Sequence, residues 1–235
     1  MLMNPLRHRL KAALSAVLAA GVIFSTLSGV AAVTPLVEAP AELTGVGTTE
    51  SPFQIATEAD YHLFVNELNA GNEKYTGADK VFAITEDLFF TEQPPMINTF
   101  EGTLDGTGHS ILGLTLQGAI TDKDYHLALI DQNVGGTIKN LAIDTPSVIA
   151  TGWSSDTGPL IGILSAKSTN AHYENCAIID ASISASETDK AAGFAAENDG
   201  STVVNCYFTG SVNAGLQPGA IFGYSKGKST NVENC

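Results

Sequence analysis

Arginine is almost missing from this chain. Its two copies, Arg7 and Arg9, lie in the first ten residues, and every basic residue from Lys11 onward is lysine. The whole chain holds 11 basic and 25 acidic residues, a net charge of −14. The leader described below carries three of the bases and no acid, so without it 8 bases face 25 acids, a net charge of −17. Such a surface repels polyanions. That argues against nucleic acid as a partner and against acidic, pectin-like polysaccharides.

Several catalytic signatures are also missing. No histidine (His8, His62, His109, His126, His172) is followed by glutamate. The His-Glu-x-x-His pattern that sets two imidazoles and a base on one helical face is therefore absent. No EF-hand loop or glycine-rich calcium nonapeptide is present, and the three cysteines have no zinc spacing. A β-elimination lyase normally draws on a basic residue beside calcium-binding acids, and only lysine is left for that task. A hydrolase would need two carboxylates some 5 to 9.5 Å apart. Asp105, Asp131, Asp144 and Asp180 are the available acids; Asp144 and Asp180 fall at near-equivalent repeat positions and read as solvated turn residues. The sequence therefore nominates no catalytic residue, no metal ligand and no cofactor. Lone His62 reads as a surface residue and His109, beside a tight turn, as structural.

There is one long apolar run. Arg7, Arg9 and Lys11 precede Ala12 to Phe24, and small residues end at Val30-Ala31-Ala32. That order is a secretory signal peptide, with cleavage after Ala32. Ser25, Thr26, Ser28 and Gly29 cut the run short of the ~20 residues a membrane span requires. The expectation is an exported bacterial protein, secreted or held at the cell surface, with no stable membrane insertion after cleavage. Residues 33–51, rich in proline, alanine, threonine and glutamate, read as a flexible spacer.

What the chain has in quantity is repetition. Lys139-Asn140-Leu141, Glu174-Asn175-Cys176, Val204-Asn205-Cys206 and Glu233-Asn234-Cys235 return at asparagine spacings of 35, 30 and 29. Ser147-Val148, Ser182-Ile183 and Ser211-Val212 follow the first three copies. Leu160-Ile161-Gly162, Phe194-Ala195-Ala196 and Ile221-Phe222-Gly223 precede the next ones, with Leu129-Ile130-Asp131 as an earlier, weaker version. Apolar residues alternate within each copy, the period of short strands with one buried face. A unit of about thirty residues cannot bury that face alone, so successive units must stack. Stacked coils of short strands make a parallel β-helix; an antiparallel sandwich has no reason to repeat one phrase at this period. Stacking would place Asn175, Asn205 and Asn234 in a hydrogen-bonded ladder. Cys176, Cys206 and Cys235 would follow in register as small, inward-facing thiols, a reading favoured over a disulfide, whose geometry is demanding.

Before the repeats, Thr57-Glu58-Ala59-Asp60 has the form of a capping box. The helix that follows presents Leu63, Phe64 and Leu68, and Gly71 closes it; its role is to cover the open end of the first coil. Residues 80–84 and 88–90 read as strands. Leu104 and Ile111 flank an Asp-Gly-Thr-Gly turn.

Three phrases in order carry a resemblance: Pro52-Phe53-Gln54-Ile55 with its helix, then residues 100–111 from Phe100-Glu101-Gly102 to His109-Ser110-Ile111, then Gly136-Thr137-Ile138-Lys139-Asn140-Leu141. Ile221-Phe222-Gly223-Tyr224 with Glu233-Asn234-Cys235 completes it. Over about 185 residues the chain resembles bacterial GLUG-repeat surface proteins. The resemblance implies a right-handed parallel β-helix with an N-terminal capping helix, in secreted or wall-attached proteins that include adhesin-like ones. It also implies that such regions occur as non-catalytic parts of immunoglobulin-degrading zinc proteases. The expected organisation is a leader (1–32), a spacer (33–51), a cap (52–98) and repeats (99–235) that continue past the last residue. Within the longest repeat, the loop Thr151 to Gly158 holds the only tryptophan, Trp153, together with Asp156. An aromatic there either stacks on a sugar or anchors a partner, or folds back over the coil. The expected partner is a host or cell-surface glycan or protein. A protease's leading region and a carbohydrate-active β-helix enzyme are the alternatives.

Overall fold

A computed structural model describes residues 40–152, 158–185, 190–227 and 229–235. The leader lies outside these residues. The chain is a β-solenoid in which every strand pairing is parallel. Among the described residues the order of elements is one short strand, helix α1 (Glu58–Asn69), then only strands. Four sheets run up the stack. The first has seven strands, Phe53–Ile55, Val81–Ile84, Thr103–Asp105, Thr137–Lys139, His172–Glu174, Thr202–Val204 and Asn231–Glu233. The second turns from it and holds Ala142–Asp144 and Ser147–Thr151 of one coil against Ala177–Ala185 of the next. The third stacks His126–Leu127, Leu160–Gly162, Lys190–Ala192 and Gln217–Gly219. The fourth stacks Ile97–Phe100, Ile130–Val134, Ser165–Thr169, Ala195–Asp199 and Phe222–Ser225.

Register places like on like. Phe53, Phe82, Leu104, Ile138, Tyr173, Val203 and Val232 form one column of the first sheet, and all but Val232 are buried. Ile111, Ile143, Ile178 and Phe208 do the same in the second sheet. Each buried branched side chain contributes about 1.5–3 kcal/mol, but only when a coil lies on either side. Stability therefore accrues coil by coil.

The corners explain the asparagines. Asn140, Asn175, Asn205 and Asn234 each have φ 53°, the left-handed region that asparagine tolerates better than most residues. A second left-handed column, Gly113, Thr145 and Asp180, bends the second sheet. A third, Gly135, Asn170 and Gly200, returns the chain to the first sheet.

Helix α1 begins as its sequence requires. The Thr57 side chain accepts from the Asp60 N–H, the Asp60 side chain reaches back to the Thr57 N–H, and Gly71 follows the last turn at φ 71°. Its buried face is Tyr61, Phe64 and Val65, with Leu63 and Leu68 at the margin, so the face is rotated from the one the sequence suggested. Phe64 meets Phe82 and Phe100, with ring centres 4.4 and 6.3 Å away, and Tyr61 meets Phe90 at 4.9 Å. The helix thus lies on the first coils' aromatic rungs.

Three expectations change. The second half of the supposed spacer is part of the fold: Leu43 is buried, the Gln54 N–H donates to Thr44 O, and the Val81 N–H donates to Gly47 O. The boundary at 98 falls inside the strand Ile97–Phe100, which pairs with Ile130, so cap and repeats are one stack. The small-apolar phrase also shifts. Leu160-Ile161-Gly162 pairs with Lys190-Ala191-Ala192 in the third sheet, whereas Phe194-Ala195-Ala196 and Ile221-Phe222-Gly223 follow the register of Leu164-Ser165-Ala166. The longer coil's insertion had displaced the alignment by four residues.

Candidate functional site

In four successive coils a connection runs from the second sheet to the third. In order, these connections join Thr115–Ala119 to His126–Leu127, Ser147–Thr151 to Leu160–Gly162, Ala177–Ala185 to Lys190–Ala192, and Tyr207–Ala214 to Gln217–Gly219. The strands on either side of these connections stack in register. Trp153 and Asp156 belong to the second of these and lie outside the described residues. Both ends of their loop are fixed: the Ile120 N–H donates to Thr151 O at 2.7 Å, and the Leu160 N–H donates to Tyr125 O at 3.0 Å.

The loop one coil below is described throughout. The Asp122 side chain organises it, accepting from the Thr121 hydroxyl at 3.1 Å and the Asp124 N–H at 2.9 Å. Asp122, Lys123 and Asp124 are exposed. Burial pushes the Tyr125 hydroxyl pKa up, and that hydroxyl occupies the space that Gly118 leaves open. This loop therefore offers carboxylates whose oxygens accept hydrogen bonds, the complement of sugar hydroxyls or backbone N–H groups.

The ladder residues occupy another corner. The Asn234 Nδ2 donates to Asn205 Oδ1 at 3.1 Å, Asn205 Nδ2 to Asn175 Oδ1 at 3.2 Å, and Asn175 Nδ2 to Asn140 Oδ1 at 3.2 Å. Asn140 Nδ2 ends the run on Asp105 Oδ1 at 3.0 Å. Burial pushes the Asp105 carboxyl up, but the Asn140 amide, the Thr107 N–H and the Lys139 ammonium outweigh it and hold its pKa below the usual range. Asp105 is thus the anionic foot of the ladder. Cys176, Cys206 and Cys235 are free thiols, the first two buried and the third exposed. The Cys176 N–H donates to Cys206 Sγ at 3.3 Å. The thiol–thiol hydrogen bond raises the Cys176 pKa well above normal and lowers that of Cys206.

The other acids do not converge. Asp144 pairs with Ile179, and Asp180 lies one residue on, beside Thr145 and Thr209. The two are one residue out of register: Asp144 ends its strand, and Asp180 is itself a left-handed corner residue, level with Thr145. Asp131 Oδ1 is hydrogen-bonded to the His126 Nδ1. His109 lies 3.3 Å from Asp87 on an exposed turn. The His62 Nε2 is enclosed with no partner among the described residues, so that ring is not the surface group expected. No group of three or more His, Cys, Asp or Glu among the described residues could hold a metal ion. No helix among them is long and apolar enough to cross a membrane.

Two clusters escaped sequence reasoning. Buried Glu197 binds Lys190 at 3.1 Å and Lys226 at 2.6 Å. Burial pushes its pKa up, but the two ammonium groups outweigh burial and lower it. Inside the stack, the Tyr173 hydroxyl meets Ser165 at 3.0 Å, Ser168 at 3.1 Å and Asn133 Nδ2 at 3.3 Å, and Ser168 continues to Ser201 at 2.7 Å. Burial is again the largest influence on Tyr173 and raises its pKa. The one sequence signal was a tyrosine in a column otherwise filled by phenylalanine and aliphatic residues.

No family model matches the chain. Halomucin of Haloquadratum walsbyi is 28% identical over 126 residues, which is 50% of this chain and 1% of halomucin. A solved structure of an inferred immunoglobulin A1 protease from Bacteroides ovatus superposes with a TM-score of 0.50 at 17% identity. The match covers 80% of this chain and 66% of that one, just under two thirds of its length, and it shows a common fold.

Proposed function

We propose that the chain is a non-enzymatic, secreted or cell-surface β-solenoid module that displays its loop edge to a glycan or protein of a host or neighbouring cell. The observation that carries this reading is that in four successive coils the connection from the second sheet to the third runs between strands stacked in register. A rigid stack positions these connections, which is how scaffolds present recognition surfaces. Trp153 supplies the aromatic platform, while Asp156, Asp122 and Asp124 supply the acceptors. The strong negative charge selects neutral or cationic ligands over polyanions. The leader read in the sequence supports an exported location.

The shared fold with an inferred immunoglobulin A1 protease supports a second reading, a non-catalytic region of a larger secreted protease. The two readings part on isolated material. The purified chain should bind a glycan or protein ligand on an array or on cells, and Trp153→Ala should lower that affinity by about tenfold, the loss of roughly 1–1.5 kcal/mol of ring stacking. Unaltered binding by the Trp153→Ala variant would refute the loop edge as the site. Cleavage of any member of a polysaccharide panel would refute the non-enzymatic reading.

A further inference from the structure

The first coil takes a short cut that leaves one sheet edge open. Its strand Leu88–Phe89 pairs with Ser110–Leu112 in the second sheet. The next strand is Ile97–Phe100 in the fourth sheet, so among the described residues no strand lies beneath Thr115–Ala119. Thr115–Ala119 pairs only with Ser147–Thr151 of the coil above. Two hydrogen bonds fix the polarity of that ladder: the Ser147 N–H donates to Leu114 O, and the Ile120 N–H donates to Thr151 O. Alternate residues of a strand serve opposite neighbours, so Leu114, Leu116, Gly118 and Ile120 face the coil above. Thr115, Gln117 and Ala119 therefore turn their N–H and C=O groups to the open edge.

The segment 91–95, where a strand would continue beneath this edge, is held away from it. The Glu58 carboxylate at the start of α1 accepts from the Thr91 N–H at 3.1 Å, the Thr91 hydroxyl at 2.8 Å and the Glu92 N–H at 3.2 Å. Pro94 and Pro95 follow, and proline has no N–H to give a ladder. One side chain stands in for the missing strand: Gln93 Oε1 accepts from the Gln117 N–H at 2.7 Å, where a main-chain carbonyl would otherwise sit. Between the segment and the edge lies a cleft of about 360 Å³, lined by Thr91, Glu92, Gln93, Gly113, Thr115 and Gln117. The Phe89 ring, 60% exposed, packs against Gly113 beside it.

We propose that this edge is a strand-addition site for an extended peptide segment of another protein, neutral or basic in charge. The segment lies beneath Thr115–Ala119, displaces the Gln93 side chain and pairs its main chain with Thr115, Gln117 and Ala119. The exposed Glu92 carboxylate and the net charge of −14 disfavour an acidic segment. The position beneath Leu116, which is already covered, takes a small side chain. A single strand reaches an edge that lies across a cleft from segment 91–95, whereas a second folded copy would bring its own cap against this one. The site does not depend on the loop edge.

The probe is an acetylated and amidated peptide, Lys-Thr-Ala-Thr-Ala-Thr-Lys, added to the full chain. Hydrogen exchange read by NMR should show the Thr115 and Ala119 amides slowed at least about tenfold at saturation. Gln93→Ala removes the competing side chain and should tighten peptide binding about threefold to tenfold, the worth of one hydrogen bond. Gln117→Pro deletes an N–H at the edge and spares the bonds to Ser147–Thr151, so it should keep the parent's unfolding midpoint and weaken binding at least about tenfold. The same peptide, N-methylated at every residue between its lysines, keeps its charge and should not bind. Equal binding by the methylated peptide would overturn the proposal, because attraction would then be electrostatic alone. So would a Gln93→Ala variant that fails to bind the peptide at millimolar concentration, or an unliganded chain that sediments as a dimer with both amides already protected.

Discussion

Asn205 tests the ladder and the corner together. It is exposed, so its role does not depend on burial. Its Nδ2 and Oδ1 make one hydrogen bond each, to Asn175 and Asn234, and its backbone sits at φ 53°. Asn205→Gly removes both side-chain bonds and keeps the corner unstrained. Two solvent-exposed bonds at the low end of about 0.5–1.5 kcal/mol each, with the entropy of an added glycine, give a loss of roughly 1.5–2 kcal/mol. Asn205→Ala removes the same bonds and adds about 1–2 kcal/mol for an alanine held left-handed, a total of roughly 2–3 kcal/mol. Alanine should therefore be worse than glycine by about 1 kcal/mol. With a urea slope of roughly 2–3 kcal/mol/M for a domain of this size, the two midpoints should differ by about 0.3–0.5 M. Equal midpoints for the two variants would refute the left-handed corner. A glycine variant as stable as the parent would refute the amide ladder.

Three further outcomes follow from the buried clusters. Tyr173→Phe should destabilise by about 1–3 kcal/mol in urea unfolding, because Asn133, Ser165 and Ser168 lose a buried partner and gain no water. The Glu197 pKa is lower folded than unfolded, so its contribution is complete above the unfolded value and is lost as pH falls through the folded one; Glu197→Gln should flatten the stability profile in that acid window, and an unchanged slope there would contradict the bridge. A thiol reagent should label one cysteine per native chain, Cys235, and three after unfolding, since Cys176 and Cys206 are buried and free.

The sequence disclosed the stack because asparagine recurs at the rung that needs it, and 35, 30 and 29 residues leave little else to build. The serine-apolar pairs were equally legible: Ser147, Ser182 and Ser211 share one column. Less legible was anything set by a single residue of phase. Asp144 and Asp180 looked equivalent, yet Asp180 is level with Thr145, and the insertion around Trp153 carried Leu160 out of its apparent register. Leu43 was hidden because one apolar residue among prolines and threonines leaves no period to detect. The polar column around Tyr173 was invisible for a different reason: Asn133, Ser168 and Asn198 face inward, and alternation alone assigns polar residues to the outside. The loop edge needed the sheets first, because only their stacking shows that the connections of four coils start and end on strands in register.

The stacking itself is tested most directly by one distance. Gln54 and Glu233 are exposed ends of a single column that passes through Ala83, Asp105, Lys139, Glu174 and Val204. Spin labels carried on unnatural amino acids at those two positions span every step of the seven-stranded first sheet. In-register parallel stacking predicts a narrow distribution centred near 29 Å between the backbones, six steps of about 4.8 Å. A mean below about 20 Å, as strands folded back beside one another would give, would contradict the solenoid and the loop edge built on it.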